Sequence, residues 1–228
     1  MKVIFLFIAM PIFLMSCSKT GYVKKDGNWV YQFYAGGDLQ SSTKIVDGVD
    51  KSTFEPLNRH YAKDKNSVFI DGSKIRGVDP SSFKILFETT AKDKNYVYKD
   101  SIIIKEADPS TFVHVEEEFY KDKNFVFLQG QPIPFVDPKT FEIIKYPYVK
   151  DKNNIFCGTV PLNVKDKASF KVTNSGGLRL HTNTESFSSM SPQYKWMNTT
   201  KAYYPVFYVE DATAKTNTEN FKNFELIK

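Results

Sequence analysis

Lys92-Asp93-Lys94-Asn95-Tyr96-Val97-Tyr98 is one of four Lys-Asp-Lys-Asn runs in the chain, whose aspartates, Asp64, Asp93, Asp122 and Asp151, stand 29 residues apart. A second ladder keeps the same step. Asp50, Asp79, Asp108, Asp137 and Asp166 recur every 29 residues, and four residues after each stands Phe54, Phe83, Phe112, Phe141 or Phe170. A fixed period of this size marks one supersecondary unit copied and stacked, because a single copy cannot bury its own apolar face. Each run precedes an alternating apolar triplet such as Ser67-Val68-Phe69 or Phe125-Val126-Phe127. β-Branched and aromatic residues suit a pleated, half-buried strand, and the Asp-Lys-Asn before them suits a tight turn. The fold class this predicts is an all-β repeat protein of tandem 29-residue hairpin units. Two or three strands per unit fit a β-solenoid, an open meander or a propeller-like closure.

The rest of each unit reads as follows. A second turn is expected at Asp71-Gly72 and at Gln129-Gly130, leading to a short segment centred on Ile75, Ile104, Ile133 or Leu162. Pro132, Pro134 and Pro161 place that segment at a sheet edge, since proline donates nothing to a ladder. Val78-Asp79-Pro80-Ser81-Ser82-Phe83 and its sisters open a short helical turn. The aspartate caps free N–H groups, proline fits the first helical position, and the phenylalanine points inward. This makes Asp50, Asp79, Asp108, Asp137 and Asp166 the expected caps and Phe54, Phe83, Phe112, Phe141 and Phe170 the repeat core. A further single strand, Lys84 to Thr90 or Val113 to Phe119, returns the chain to the next turn.

Regular copies run from about residue 50 to 170, with degenerate ones on both sides. Lys25-Asp26-Gly27-Asn28-Trp29-Val30-Tyr31 repeats turn and strand, with nine extra residues before Asp50 expected around Gly36-Gly37 to Ser42. Near the end, Asn183 with Phe187 and Asn217 with Phe221 fill the cap and core places. Counting back from Phe221 puts Lys201-Ala202-Tyr203-Tyr204-Pro205-Val206-Phe207 in the strand frame, and Gly176-Gly177 replaces a shortened turn.

The N-terminus speaks to address. Lys2 precedes an apolar run, Val3 to Met15, too short to span a bilayer as a mature helix, and the run ends in Leu14-Met15-Ser16-Cys17. This resembles a bacterial lipoprotein signal. Residues 1–16 are then the signal, Cys17 carries the lipid, 17–21 form a short tether and 22–228 the repeat domain. Ser18 after the cysteine resembles a pass to the outer membrane, so the expected location is the cell envelope, lipid-anchored. The signal contains one basic residue, so the remaining chain carries 30 basic and 26 acidic side chains. That mild balance, with aspartate inside nearly every lysine cluster, argues against a nucleic-acid partner. Lipidation of Cys17 would leave Cys157 with no cysteine to pair with.

The motifs resemble the DKNYY-repeat family, from about Tyr61 to Phe170 and more weakly towards both ends. The resemblance implies an exported or surface-associated bacterial protein, often a lipoprotein, with no activity assigned.

No catalytic constellation emerges, and no cofactor or metal is expected. Strand alternation would set His114, Glu116 and Glu118 on one face, the sole basis for a metal-carrier reading, but a solvent-facing strand explains them equally. Asp64-Lys65-Asn66 resembles the first ligands of a calcium loop but lacks its glycine and closing glutamate. Cys157 replaces Ile70, Lys99 and Leu128 of its sisters and reads as a strand residue. The Lys-Asp-Lys turns could form a basic ridge for anionic lipid or acidic polysaccharide, although solvated turn lysines explain them too. The expected function is that of a non-enzymatic envelope lipoprotein whose repeated surface binds a protein or glycan partner near the membrane. The alternative is an exported hydrolase with its site in residues 174–204, around His181 and Glu185.

Overall fold

A computed structural model describes residues 20–34, 41–133, 135–176, 180–183, 206–209 and 211–227. Among these residues the chain forms six small antiparallel sheets in succession and one separate hairpin. The first sheet has three strands, Gly21–Lys25, Asn28–Tyr34 and Ser41–Ile45. The second is a four-stranded meander of Glu55–Pro56, Tyr61–Lys63, Val68–Ile70 and Ser73–Ile75. The third repeats it with Lys84–Phe87, Thr90–Lys92, Val97–Lys99 and Ile102–Ile103, and the fourth with Val113–Glu116, Phe119–Lys121, Val126–Leu128 and Gln131–Pro132. The fifth is made of Glu142–Lys145, Tyr148–Lys150, Ile155–Cys157 and Val160–Leu162.

Each regular unit thus has four strands, one more than the sequence suggests at most. The stretch expected as a single strand, Lys84 to Thr90, is a hairpin that turns at Glu88-Thr89, with Glu88 at φ 46°. A bulge on its first strand, at Leu86, Val115 or Ile144, breaks the polar–apolar alternation that would have revealed the turn. Asp71-Gly72 and Gln129-Gly130 form two-residue hairpin turns with both φ positive. At Gly72 an added Cβ would stand 2.8 Å from the Tyr31 Cβ, so that turn also depends on close packing with the preceding sheet. Pro132 and Pro161 both lie on the fourth, edge strand of their sheets.

The sheets stack face to face, and the middle strand explains why. In Val68-Phe69-Ile70 all three side chains are buried. Successive side chains point to opposite faces. Phe69 packs back with Tyr31 and Phe54 against the first sheet, while Val68 and Ile70 pack forward with Phe83, Ala91 and Tyr98. The same division gives core clusters between the third and fourth, fourth and fifth, and fifth and sixth sheets. Phe54, Phe83, Phe112 and Phe141 are buried in these layers, and Phe170 is half-buried against the last. Tyrosine hydroxyls add polar ties forward. Tyr22 donates to the His60 carbonyl oxygen, Tyr61 to those of Thr89 and Asp100, and Tyr148 to that of Asn223.

Both ends depart from the sequence frame. At the first hairpin Asp26-Gly27 alone makes the turn, with φ of 51° and 73°, so that Trp29 rather than Val30 occupies the place of Val68. The extra residues lengthen the second hairpin, whose strands run to Tyr34 and resume at Ser41. The sixth sheet consists of Lys171–Asn174, Thr213–Lys215, Asn220–Lys222 and Glu225–Ile227. Phe221 is therefore the strand phenylalanine equivalent to Phe156, not a cap-turn core residue, and Lys215 to Phe221 fill the motif frame. Lys201–Phe207 does not. Asn174 pairs with Thr213 as Lys145 pairs with Tyr148, so residues 175–212 replace the two-residue turn of Tyr146-Pro147. Within this insertion Leu180–Asn183 pairs with Val206–Val209, which makes Asn183 a strand residue instead of a cap; Phe187 lies outside the described residues. No helix among the described residues is long and apolar enough to cross a membrane.

Candidate functional site: a repeated lysine and aspartate edge

The four Lys-Asp-Lys-Asn turns line one edge of the stack, and their aspartates are buried, at 3% exposure for Asp64 and Asp93. One carboxylate oxygen holds the turn itself. Asp93 Oδ1 accepts from the backbone N–H groups of Asn95 and Tyr96 at 2.7 and 2.8 Å. The other oxygen reaches fourteen residues back to the cap turn: Asp64, Asp93, Asp122 and Asp151 accept at 2.8–2.9 Å from the N–H of Asp50, Asp79, Asp108 and Asp137. Burial pushes the Asp93 carboxyl up. The backbone donors of Asp79, Tyr96 and Asn95 and the Tyr98 hydroxyl outweigh it and hold the group below the usual carboxylate range.

The second ladder closes the circuit. Asp50, Asp79, Asp108 and Asp137 each accept from the N–H two residues on, at 2.9–3.1 Å. Asp166 accepts from the Ser169 N–H at 3.3 Å, where the turn lengthens to a 3₁₀ helix, Lys167–Ser169. The turns before it are single tight turns closed by bonds such as Thr53 N–H to the Asp50 carbonyl oxygen at 3.2 Å. The remaining oxygen of each of the first four cap aspartates faces the second lysine of the motif. Lys65, Lys94, Lys123 and Lys152 stand 2.8, 2.9, 2.6 and 3.1 Å from Asp50, Asp79, Asp108 and Asp137. The hydroxyls of Thr53, Ser82, Thr111 and Thr140 accept from those lysines' backbone N–H groups. The turn lysines that could have formed a basic ridge thus stand in a row of ammonium and carboxylate pairs.

Lys65 and Ser52 hold Asp50 down at about 2, and Lys123 and Ser110 hold Asp108 below the ordinary range as well. A carboxyl lowered on folding contributes stability above its unfolded pKa of about 4 and loses it as pH falls through the folded value. The thermal midpoint should therefore hold from neutrality to about pH 4 and fall between about pH 4 and 2. A circular-dichroism melt series checks this, and a midpoint already dropping between pH 7 and 5 would contradict it.

The sixth sheet keeps the device with other residues. Thr216 Oγ1 accepts from the N–H groups of Thr218 and Glu219, as the aspartate does elsewhere. Glu219 Oε2 accepts from the Lys165 N–H at 3.0 Å and so supplies the link to the cap turn. Aspartate's two roles are divided between two side chains, which hid this copy from sequence comparison.

The remaining candidates are not brought together. The bulge between His114 and Glu116 removes the shared face. His114 instead stacks on Phe87 with ring centroids 4.5 Å apart and donates from Nε2 to the Glu117 carbonyl oxygen, while Glu118 pairs with Lys99 at 2.8 Å. Among the described residues no three His, Cys, Asp or Glu side chains converge on a metal position. Asp64 has both oxygens committed to N–H donors, so the calcium-loop reading finds no open carboxylate there. Cys157 is buried in the layer between the fifth and sixth sheets, beside Tyr148, Ile155 and Leu162. Cys17 and Glu185 lie outside the described residues, as does the side chain of His181.

No curated protein and no solved structure matches the chain. The model of the DKNYY family matches residues 22–160, from the first strand to the edge strand of the fifth sheet. With the motif's lysines and aspartates placed as one repeated bonding circuit, and more than half of the sequence matched, the chain belongs to the DKNYY family.

Proposed function

We propose that this protein is a non-enzymatic lipoprotein of the bacterial envelope, lipidated at Cys17 and most at home in the outer membrane, whose repeated edge binds a protein or glycan partner close to that membrane. The observation that carries this reading is the recurrence of one surface at 29-residue steps. Lys65, Lys94, Lys123 and Lys152 present the same group in the same setting. Copying a surface builds an extended binding face and does nothing for a single catalytic site. Leu14-Met15-Ser16-Cys17 supports the address. Cys17 also stands four residues before the first strand begins at Gly21, a distance of at most about 14 Å when extended, so no long stalk separates the stack from its bilayer.

Metabolic labelling with palmitate should mark the wild type and leave Cys17→Ala unlabelled; label on the variant would sink the anchor assignment. In-cell crosslinking with mass spectrometry should recover envelope components on the lysine edge. Exchange of Lys65, Lys94, Lys123 and Lys152 for glutamine should remove those crosslinks, and their survival would place the partner elsewhere.

A further inference from the structure

Two boundaries in the stack carry the same cleft. Between the second and third sheets it has about 360 Å³ and is lined by Thr53, Glu55, Lys63, Asp64, Lys65, Pro80 and Ser81, with the Asp64 carboxylate already bonded to the N–H groups of Asp50 and Asn66. Between the fifth and sixth it has about 440 Å³, and the residues three repeats later line it together with Asn154 and Ile155, with Lys167 and Ala168 in the places of Pro80 and Ser81. A glutamate sets the lysine in both. Glu55 stands 3.4 Å from Lys63, and Glu142 stands 2.9 Å from Lys150, which holds each ammonium over its own sheet. The third sheet has Lys84 at that position. There Lys92 crosses the boundary and donates to the carbonyl oxygens of Pro109 and Phe112 at 2.8 and 2.9 Å. Where glutamate stands at this place the lysine stays with its own sheet, and where Lys84 stands it bridges; the fourth sheet has Val113 there.

The lining selects its ligand. Each ammonium has three donors, of which the glutamate or cap aspartate takes one, leaving others for a carboxylate. The glutamate accepts from hydroxyls. No aromatic side chain lines either cleft, so a neutral sugar has no stacking platform. Exposed ammonium–carboxylate contacts are individually weak, which favours a polymer that engages both clefts over a monomer that fills one. Three steps of sheet stacking, at about 10 Å each, separate the clefts by about 30 Å along the stacking direction. We propose that these two clefts are paired subsites for a linear acidic polysaccharide, a uronate-bearing chain. This rests on the reading of the edge as a binding surface and names its partner's chemistry.

The test is calorimetric titration of the full chain in neutral detergent with uronate oligosaccharides of graded length, against neutral oligosaccharides of the same lengths. Short uronates should fill two sites, and affinity should rise by roughly a hundredfold once an oligomer spans both. Glu55→Lys with Glu142→Lys copies the arrangement of the third sheet and should abolish binding with the thermal midpoint retained. Simple attraction of a polyanion to a basic ridge predicts the reverse, since the double variant gains positive charge. Lys84→Glu should open a third site, a gain that no folding defect can imitate. Equal binding of neutral oligosaccharides, or unchanged stoichiometry in both variants, would overturn the proposal. Absence of sugar binding with envelope-protein crosslinks intact would remove the glycan assignment and leave the binding-surface reading standing. Absence of both would remove the two together.

Discussion

Replacing the buried Asp122 by alanine is expected to destabilise the protein by about 3–5 kcal/mol: a buried N–H group left without an acceptor costs about 1–3 kcal/mol, and the groups affected are part-buried, which keeps the sum at the low end. Three lose theirs at once, those of Asp108, Asn124 and Phe125, at 2.8, 2.7 and 2.7 Å from the carboxylate. Asparagine should not rescue. Its amide nitrogen would face the Asp108 N–H, donor against donor, so Asp122→Asn should keep well over half of the loss. At the cap ladder the order differs, since asparagine caps about as well as aspartate. Asp108→Asn should therefore keep the bond from the Ser110 N–H and lose only the pair with Lys123, so that it falls less than Asp108→Ala. Urea titration of the four variants checks both ladders. If asparagine were harmless at position 122, the buried carboxylate would not be the joint between turn and cap.

Phe112→Ala should cost about 3–5 kcal/mol, as for other fully buried aromatic truncations. Phe112 has no exposed surface, and its ring lies 5.4 Å from that of Tyr120 and 5.2 Å from that of Phe127, between the third and fourth sheets. The loss falls on a boundary rather than within one sheet. A stack in which each sheet contacts only its neighbours can then separate at that layer, which would show as a lowered slope in denaturant as well as a lowered midpoint. Lys123→Ala in the adjoining turn, with the side chain 61% exposed, should stay near the wild type. Equal effects of the two substitutions would mean that the inward and outward faces of the repeat had been exchanged.

Much of this fold is legible in the chain because the repeat exposes its own rules. The spacing of Asp93 and Asp122, the valine and phenylalanine after each motif, and the Asp-Pro starts determined an all-β stack of 29-residue units with a turn, a strand and a capped turn in fixed order. The local physics suffices for these elements: asparagine and aspartate in turns, alternation in strands, proline where no donor is needed. It does not reach the pairing of Leu86 and its sisters. A bulge has no composition of its own, and it concealed both the fourth strand and the separation of His114 from Glu116.

The sixth sheet shows the same limit at longer range. Thr216 and Glu219 share the work of one aspartate, and 38 residues, 175–212, stand where Tyr146-Pro147 suffices in the fifth sheet. Counting along the sequence therefore mistook Phe221 for a cap-turn residue. Sequence alone determined the unit and its period, because those follow from the conformational preferences of a few adjacent residues. Only the tertiary structure decided that the motif aspartate is a buried joint to a turn fourteen residues away, and that Lys63 and Lys150 pair with a glutamate of their own sheet where Lys92 bridges to the next. These depend on where a carboxylate or ammonium finds its partner across a packed sheet boundary, and no short-range pattern encodes that distance.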